Sequence, residues 1–348
     1  MLKPWLWLPP KLSHSVAPLA TELYSHFFKS ETPVWQSFTW NGIHFKNRLG
    51  LAGGVDKDAE QLLSWQRLGC GFVEVGTITP EPQSPNPGRI LDRSLSDQAL
   101  WNKMGFPSSG ADEVFYNLLA RQEDLNIPLL INIGKNRHTD NSRAYKDYQL
   151  LLEKFNHCGD AYVVNISSPN TKGLRDLAQK EHLQSFISPL MTTKVALNNK
   201  KPLLLKLSPD LESDDLKRII DVSVDCGVDG FVLTNTTLQR ETMKNFPVEG
   251  GISGKPLGLL SKKSLQTAVS HLGTEKSKKL LISAGGVMTA EDVFERIKLG
   301  ADLVEVYSAL IFSGPIFFRK VAAKTNESKQ APFQPESSAA QLGGSKNR

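Results

Sequence analysis

From about residue 47 onward, short apolar runs alternate with longer stretches of helical periodicity. The runs are Leu49–Ala52, Phe72–Val75, Leu129–Ile133, Tyr162–Ile166, Leu203–Leu207, Phe231–Thr234, Leu281–Ala284 and Leu303–Val306. They are too short and too uniformly apolar for strands with one face in water, and they fit parallel strands buried on both faces. Several intervening helices have readable starts. Asp214 and Asp215 follow Ser213, which puts acids in a first turn, and Thr289-Ala290-Glu291-Asp292 reads as a capping box with Asp in place of the usual Glu or Gln. Eight strands alternating with helices over ~250 residues is the arithmetic of an α/β fold of the (β/α)8 TIM-barrel type. A doubly wound open sheet is the alternative, and the lack of a GxGxxG after the first run counts against it.

The same pattern divides the chain into a helical extension over residues 1–40, the barrel over 41–324, and a tail over 325–348. The tail is rich in Ser, Gln, Lys, Asn and Gly, which predicts disorder. In the extension, residues 13–29 place Val16, Leu19, Ala20, Leu23, Phe27 and Phe28 at helical spacing, with Thr21, Glu22 and Ser25 off that stripe. Periodicity alone favours a helix packed on the barrel as a lid or plug. The other reading is an interfacial helix that dips, with Trp5 and Trp7, into lipid headgroups. No run of about 18 apolar residues is present to span a bilayer. The first ten residues are broken by Pro4, Pro9 and Pro10 and read as neither a signal peptide nor a presequence, which leads to an expectation of a bacterial cytoplasmic membrane face.

Composition changes this picture little. The chain has 348 residues, 40% hydrophobic and 22% charged, as ordinary globular proteins do. Its net charge of +5 suits an anionic substrate, a phosphate-bearing cofactor or an anionic lipid surface without choosing among them. No Lys/Arg block interleaved with aromatics appears, which argues against a nucleic-acid partner. Cys70, Cys158 and Cys226 form no CxxC pair and are expected as ordinary thiols in a reducing compartment. The seven histidines show no HxxxH spacing, so no metal site is expected.

In a barrel, the residues that end the strands share one face, and function sits there. The eight ends carry Ala52-Gly53-Gly54-Val55-Asp56-Lys57, Gly76-Thr77-Ile78-Thr79-Pro80, Asn132-Ile133-Gly134-Lys135-Asn136, Asn165-Ile166-Ser167-Ser168-Pro169-Asn170, Lys206, Thr234-Asn235-Thr236-Thr237, Gly285-Gly286 and Tyr307-Ser308. Asparagine dominates. An amide offers both donor and acceptor, so an Asn cluster suits a planar ligand whose edge alternates C=O and N–H, such as a pyrimidine. Any one of these asparagines alone reads better as a loop cap; Asn132, Asn165, Asn170 and Asn235 on one rim do not. Gly285-Gly286 after the seventh strand and Ser308 after the eighth occupy the place where barrels bind phosphate. Lys57 and Lys206 are then cations inside a cleft, and Lys206, within an apolar run, does not read as a snorkelling surface lysine. A lysine beside a flavin's N1–C2=O edge stabilises the charge that reduction places there. The competing chemistry for Lys206 is a Schiff base of the aldolase kind.

Taken in order over about residues 10 to 323, these motifs, with Gly250-Gly251-Ile252-Ser253-Gly254, closely resemble the dihydroorotate dehydrogenases. The resemblance implies oxidation of (S)-dihydroorotate to orotate in pyrimidine synthesis: a base removes a proton from C5 while hydride passes from C6 to N5 of FMN. Soluble members have Cys at the base position and quinone-dependent members Ser; here it is Ser168, which implies the quinone class. That class carries an N-terminal extension forming a quinone tunnel and resting on the membrane, so the resemblance favours the interfacial reading of residues 13–29. A serine is a weak base and needs a proton path, which Thr171 and Phe106 match family positions to frame. FMN would be held by Gly53, Gly54, Lys57, Thr77, Asn132, Asn165, Lys206, Thr234, Gly254, Gly286, Tyr307 and Ser308. Dihydroorotate would meet Lys57, Asn102, Gly105, Phe106, Asn165, Asn170, Asn235 and Thr236. The quinone would meet His14, Arg93 and Tyr307.

Two departures from the family pattern stand out. Lys103 replaces the usual Arg in Asn102-Lys103-Met104-Gly105-Phe106, keeping the charge and losing the planar fork. Arg93 is flanked by Asp92 and Ser94 where the family prefers apolar residues, and an acid there offers Arg93 a partner. Two further readings are another FMN barrel reductase acting on uracil-type rings and a barrel kept only for membrane or partner binding. The intact Ser168, Lys206 and asparagines speak against the second.

Overall fold

The computed structural model describes residues 3–28, 31–241 and 243–330. Eight parallel strands close into a barrel: β1 (Leu49–Leu51), β2 (Val73–Ile78), β3 (Leu129–Ile133), β4 (Ala161–Asn165), β5 (Leu203–Leu207), β6 (Gly230–Leu233), β7 (Leu280–Ala284) and β8 (Leu303–Val306). Each pairs with its sequence neighbours, and β8 returns to β1 with Val306 opposite Leu51. All eight predicted runs are thus strands of a TIM barrel. The helices are α1 (Pro10–Ser25), ahead of the barrel, then α2 (Leu62–Arg67), α3 (Ala111–Leu119), α4 (Ala144–Lys154), α5 (Lys180–Ala196), α6 (Ser213–Asp225), α7 (Gly258–Leu272), α8 (Ala290–Lys298), α9 (Ser308–Ser313) and α10 (Phe317–Gln330). Helix α10 enters the 325–348 segment as far as Gln330; residues 331–348 lie outside the described residues.

Strand residues alternate between two cores, as period-2 geometry requires. One set, including Ile131, Tyr162, Val164, Leu205 and Phe231, packs under the helices. The other fills the barrel interior: Phe72, Leu130, Val163, Leu204, Val232, Ile282 and Leu303. An antiparallel hairpin, Phe38–Trp40 with Ile43–Phe45, closes that end, and the Phe45 ring meets Phe72 edge-on at 5.6 Å. One end of the barrel is therefore solid hydrocarbon, each fully buried side chain contributing roughly 1.5–3 kcal/mol, and only the other end can hold a ligand.

Two long loops build a roof over the open end. Segments Leu91–Ser94, Ala99–Asn102 and Gly251–Gly254 form an antiparallel sheet with Ala99–Asn102 in the middle, although β2 precedes the first two and β6 the third. Trp101 anchors it, packed with Met243, Phe246 and Ile252 and donating through Nε1 to the Glu249 carbonyl at 2.6 Å. Helix α1 packs beside this sheet and α2.

The apolar stripe on α1 faces the opposite way from a plug. Val16, Leu19 and Leu23 are exposed, whereas Ser13, His14, Thr21, Tyr24 and Ser25 are the residues turned toward the protein. Of the stripe, Phe28 packs half-buried against the core under the Arg319 guanidinium, and Val16, Leu19, Leu23 and Phe27 are left outside. No helix among the described residues is long and apolar enough to cross a membrane.

The capping box at α8 forms as its sequence predicts. Thr289 Oγ1 accepts from the Asp292 N–H at 3.2 Å, and Asp292 Oδ2 accepts from the Thr289 N–H at 2.9 Å. Thr289→Ala should cost about 1 kcal/mol of unfolding free energy, read as a lower urea midpoint at unchanged slope.

Candidate active site

The floor of the open end is a charged layer. Lys206 on β5 donates to Glu74 Oε1 on β2 at 2.6 Å, the same oxygen accepts from Asn132 Nδ2 on β3 at 2.6 Å, and Glu305 Oε2 on β8 stands 3.7 Å from the ammonium. All four side chains are buried. Burial works against charge on Lys206, but Glu74 and Glu305 together outweigh it and raise its pKa, so the nitrogen stays an ammonium. Burial first, then repulsion from Glu74, push Glu305 well above the ordinary carboxylate range, with Lys206 pulling the other way. Neither Glu305 oxygen has a hydrogen-bond partner among the described residues, which together with burial favours its neutral form. A Schiff-base lysine needs a free amine at neutral pH, so this pairing removes the aldolase reading of Lys206.

Glu74 and Glu305 were not foreseen from the sequence. The signal was there, since each interrupts an apolar β-branched run (Phe72-Val73-Glu74-Val75, Leu303-Val304-Glu305-Val306) just as Lys206 does. The first strand's loop passes close above them: a Cβ on Gly53 would lie 2.1 Å from Glu74 Oε1, so only glycine fits there.

Above the floor the amides form two hydrogen-bonded groups, one around Asn165 and Asn235 and one around Asn170. Asn165 donates through Nδ2 to Thr77 Oγ1 at 2.9 Å, and its Oδ1 accepts from Ser167 Oγ at 2.9 Å and from Asn235 Nδ2 at 3.4 Å. Asn235 also donates to Ser167 Oγ at 3.0 Å, and its Oδ1 accepts from the Thr236 N–H at 2.7 Å. Asn170 Nδ2 donates to Asn102 Oδ1 at 2.8 Å, tying the loop after β4 to the roof sheet. Ser168, in the same loop and buried, accepts at Oγ from the Asn170 N–H at 3.2 Å. Asn132 Oδ1, Asn170 Oδ1 and Thr171 Oγ1 are buried without a partner among the described residues. Each such atom costs about 1–3 kcal/mol unless a ligand satisfies it.

Three supports of this network also went unforeseen. Arg175 donates from Nε to the Ser167 carbonyl (2.9 Å) and from Nη2 to the Thr236 carbonyl (3.0 Å), and its Nη1 pairs with Asp210 (2.8 Å), joining the loops after β4, β5 and β6. Gln83 Nε2 donates to the Gly105 and Phe106 carbonyls at 2.9 and 3.0 Å and holds Phe106 in its left-handed conformation, φ +56°.

At the ends of β7 and β8, small residues pack backbone against backbone. A Cβ on Gly286 would stand 2.2 Å from Gly258 Cα, at the start of α7, and one on Gly254 2.2 Å from the Gln98 carbonyl. Ser308 Oγ lies 3.1 Å from Ser253 Oγ. Thr234, at the end of β6, pairs its N–H with the Ala284 carbonyl at 2.8 Å, which keeps that rim in register with β7.

The remaining predicted positions lie toward α1. Lys57 is half-buried at the lip, its pKa drawn down by burial against the pull of Asp58 and Asp56. Neighbouring Asp56 is pushed up to about 6 by burial while accepting from the Glu60 and Gln61 N–H groups at 2.9 Å. His14 reaches from α1 into the field of Lys57, burial and that charge both lowering its pKa. The Tyr307 ring lies 3.6 Å from where a Cβ on Gly54 would stand. Arg93 corrects an expectation: Asp92 pairs with Arg89, and Arg93 donates to the Leu6 carbonyl at 2.7 Å and to that of Leu8. The chain just before α1 thus supplies the acceptors that a neighbouring acid was expected to supply. Lys103 pairs with Glu249 across the roof.

Comparison with known proteins places this arrangement. The sequence profile described as Dihydroorotate dehydrogenase matches residues 37–328. The chain belongs to the dihydroorotate dehydrogenase family. A relative from Thermus thermophilus, named dihydroorotate dehydrogenase (quinone), is 42% identical over 283 residues, covering 80% of this chain and 79% of the relative. A relative of the same name from Acidithiobacillus ferrooxidans is 38% identical over 340 residues, 92% of each chain. Among solved structures, a dihydroorotate dehydrogenase from Eimeria tenella in complex with ferulenol superposes with a TM-score of 0.80 at 34% identity, covering 92% of both chains. Its ligand-free form gives 0.82 at 34% identity, covering 91% of this chain and 95% of that one.

The protonation of the floor has a measurable consequence. An acid whose folded pKa is raised contributes stability that is present below the unfolded carboxylate pKa of about 4.3 and is lost as pH rises toward the folded value. Glu305→Gln keeps the shape and has no proton to lose. Urea unfolding should show the variant gaining on wild type as pH rises above the unfolded carboxylate pKa of about 4.3 toward the raised folded value. An identical pH dependence in the two proteins would place the retained proton on another group.

Proposed function

We propose that this protein oxidises (S)-dihydroorotate to orotate in pyrimidine synthesis, with FMN in the barrel mouth as immediate electron acceptor and a membrane quinone as the final one. The observation that carries this reading is the amide network running from Asn102 through Asn170 and from Thr77 through Asn165 to Asn235, beside a buried serine. Its unpartnered carbonyl oxygens at Asn132 and Asn170 call for N–H donors, which flavin and dihydropyrimidine rings both carry.

The residues present fit a flavin mononucleotide. Lys206 and Asn132 on the floor would meet its pyrimidine edge, and the glycine-lined backbone at Gly254 and Gly286 with Ser308 would hold its phosphate. Gly53, Gly54, Lys57, Thr77, Asn165, Thr234 and Tyr307 would complete the pocket. A bound flavin supplies a two-electron acceptor that the protein's own side chains lack. The chain's part is then to position and to move a proton. Asn102, Asn165, Asn170, Asn235 and Thr236 would orient the substrate ring, Lys57 its carboxylate, and Gly105 with Phe106 would close over it and exclude water.

Ser168 would take the C5 proton. Its hydroxyl is a weak base, but the Asn170 N–H donates to Oγ and stabilises negative charge there at the moment of transfer. The Thr171 hydroxyl, buried and without a partner among the described residues, is the group placed to pass the proton on.

For the quinone, we infer entry beneath α1, past His14, Arg93 and Tyr307, with the α1 region resting as a peripheral element on the cytoplasmic face of a bacterial membrane. What supports this is the outward stripe: Trp7, Leu19, Leu23 and Phe27 are 74%, 64%, 60% and 84% exposed on one short segment. A patch of large apolar side chains is costly in water and suits a headgroup boundary.

The direct test is an anaerobic visible spectrum of the purified protein before and after dihydroorotate, then with a ubiquinone analogue. The flavin band should bleach with substrate and return with quinone; a flavin that stays oxidised would move the protein to another barrel reductase chemistry. Ser168→Ala should retain the flavin and lose most of the bleaching rate, and an unchanged rate would remove Ser168 from its role. Replacing Leu19, Leu23 and Phe27 together by Ser should weaken vesicle binding and raise the KM for quinone, with substrate-driven bleaching unaltered. Unaltered vesicle binding would count against the membrane-facing stripe.

A further inference from the structure

Arg296 on α8 is 1% exposed, and no carboxylate lies within ion-pair distance of it among the described residues. The two acids that attract it from its own helix are engaged elsewhere: Asp292 in the capping box, Glu295 with Lys262. Its donors go only to neutral acceptors. Nη1 meets Ser283 Oγ at 3.0 Å; Nη2 meets Ser261 Oγ at 2.8 Å, the Gly285 carbonyl at 2.9 Å and the Gly258 carbonyl at 3.0 Å. Burial draws its pKa down to about 10, which leaves it cationic at neutral pH. A buried cation without a counter-charge is costly, and it calls for an anion nearby.

The two carbonyls indicate where that anion sits. The Gly285 carbonyl belongs to the peptide whose N–H is that of Gly286, and the Gly258 carbonyl to the peptide whose N–H is that of Leu259, in the first turn of α7. No hydrogen bond among the described residues is donated by the Gly286 or Val287 N–H. Gripping the carbonyl end of a peptide turns its N–H end away from the guanidinium and polarises it. Gly285 and Gly286 hold positive φ, 98° and 72°, and Gly286 packs on Gly258, so this backbone has room for neither a side chain nor a shift.

We propose that Arg296 is a positioning residue for the phosphate of the bound flavin nucleotide, acting through the Gly285–Gly286 and Gly258 peptides rather than by touching the phosphate. This rests on the flavin reading above and adds to it the fixed charge that makes the glycine cradle select a phosphate ester over the bare riboflavin ring system. The role predicts a ligand-specific effect. Losing the charge weakens only what the phosphate contributes, whereas a merely structural arginine would loosen the pocket for any flavin.

The test uses the full-length holoprotein as wild type, Arg296→Met and Arg296→Lys. Release of FMN on dilution is followed by the return of flavin fluorescence, and the same chains are then loaded with riboflavin. Arg296→Met should hold FMN roughly tenfold to a hundredfold more weakly and riboflavin as wild type does. Arg296→Lys, which keeps the charge but not the fork, should fall between. Equal weakening of both flavins, or weakening of neither, overturns the proposal. If the methionine variant fails to fold, the lysine variant decides by the same comparison. Wild type that holds no flavin overturns the cofactor reading beneath it, and wild type that holds FMN no more tightly than riboflavin overturns the phosphate assignment alone.

Discussion

The ion pair between Lys206 and Glu74, with Glu305 beside it, is the constraint around which the barrel interior is arranged. Taking two ions out of water costs several kcal/mol each, and close geometry with further hydrogen bonds is what offsets it. Asn132 supplies one such bond. The pair sits where the inward residues change from hydrocarbon to polar, one layer above Leu130, Val163, Leu204 and Val232. Below it the barrel is packed solid and closed by the hairpin. Above it hydroxyls, amides and glycines predominate, joined by Lys57 and Phe106, and the loops form a chamber.

That chamber is rigid because its loops are bonded to one another more than to their own strands. Arg175 ties three of them, Asn170 reaches the roof sheet, and Gln83 fixes Gly105 and Phe106. An unsupported serine in a mobile loop would be a poor proton acceptor. Ser168 is held by a backbone N–H in a loop clamped by the half-buried Arg175 guanidinium, and fixed geometry of this kind is where much of the rate advantage of an enclosed site originates.

The barrel was legible because a parallel strand covered on both faces must be apolar nearly throughout, and eight such runs stand out of any sequence. The amide rim was legible for the complementary reason: asparagine at a strand end is conspicuous against valine and leucine. The roof sheet was not foreseen. Its three strands come from residues 91–94, 99–102 and 251–254, and no local pattern announces a pairing between loops that far apart. The acids of the floor were readable by the reasoning applied to Lys206 but were passed over, and Arg175 and Arg296 look in sequence like any helical arginine. For α1 periodicity marked an apolar face without saying what covers it, and only the resemblance to the family favoured an outward one. Arg93 misled for a related reason: the nearest acid in sequence, Asp92, turns to Arg89, and main-chain carbonyls from a segment more than eighty residues away take its place.

The ring order of the strands sets the loop of Ser168 and the α1 side in different sectors of one mouth. The loops bearing Ser168, Asn170, Asn235 and Thr236 follow β4 and β6, neighbours through β5, whereas the α1 side is built on the sector of β8, β1 and β2. There Trp5 donates to the Ile311 carbonyl of α9, Arg93 from the loop after β2 grips the chain ahead of α1, and Lys57 after β1 senses His14. A ring cofactor lying across Lys206 and Asn132 on the floor would separate the two sectors, with dihydroorotate meeting one side and quinone the other.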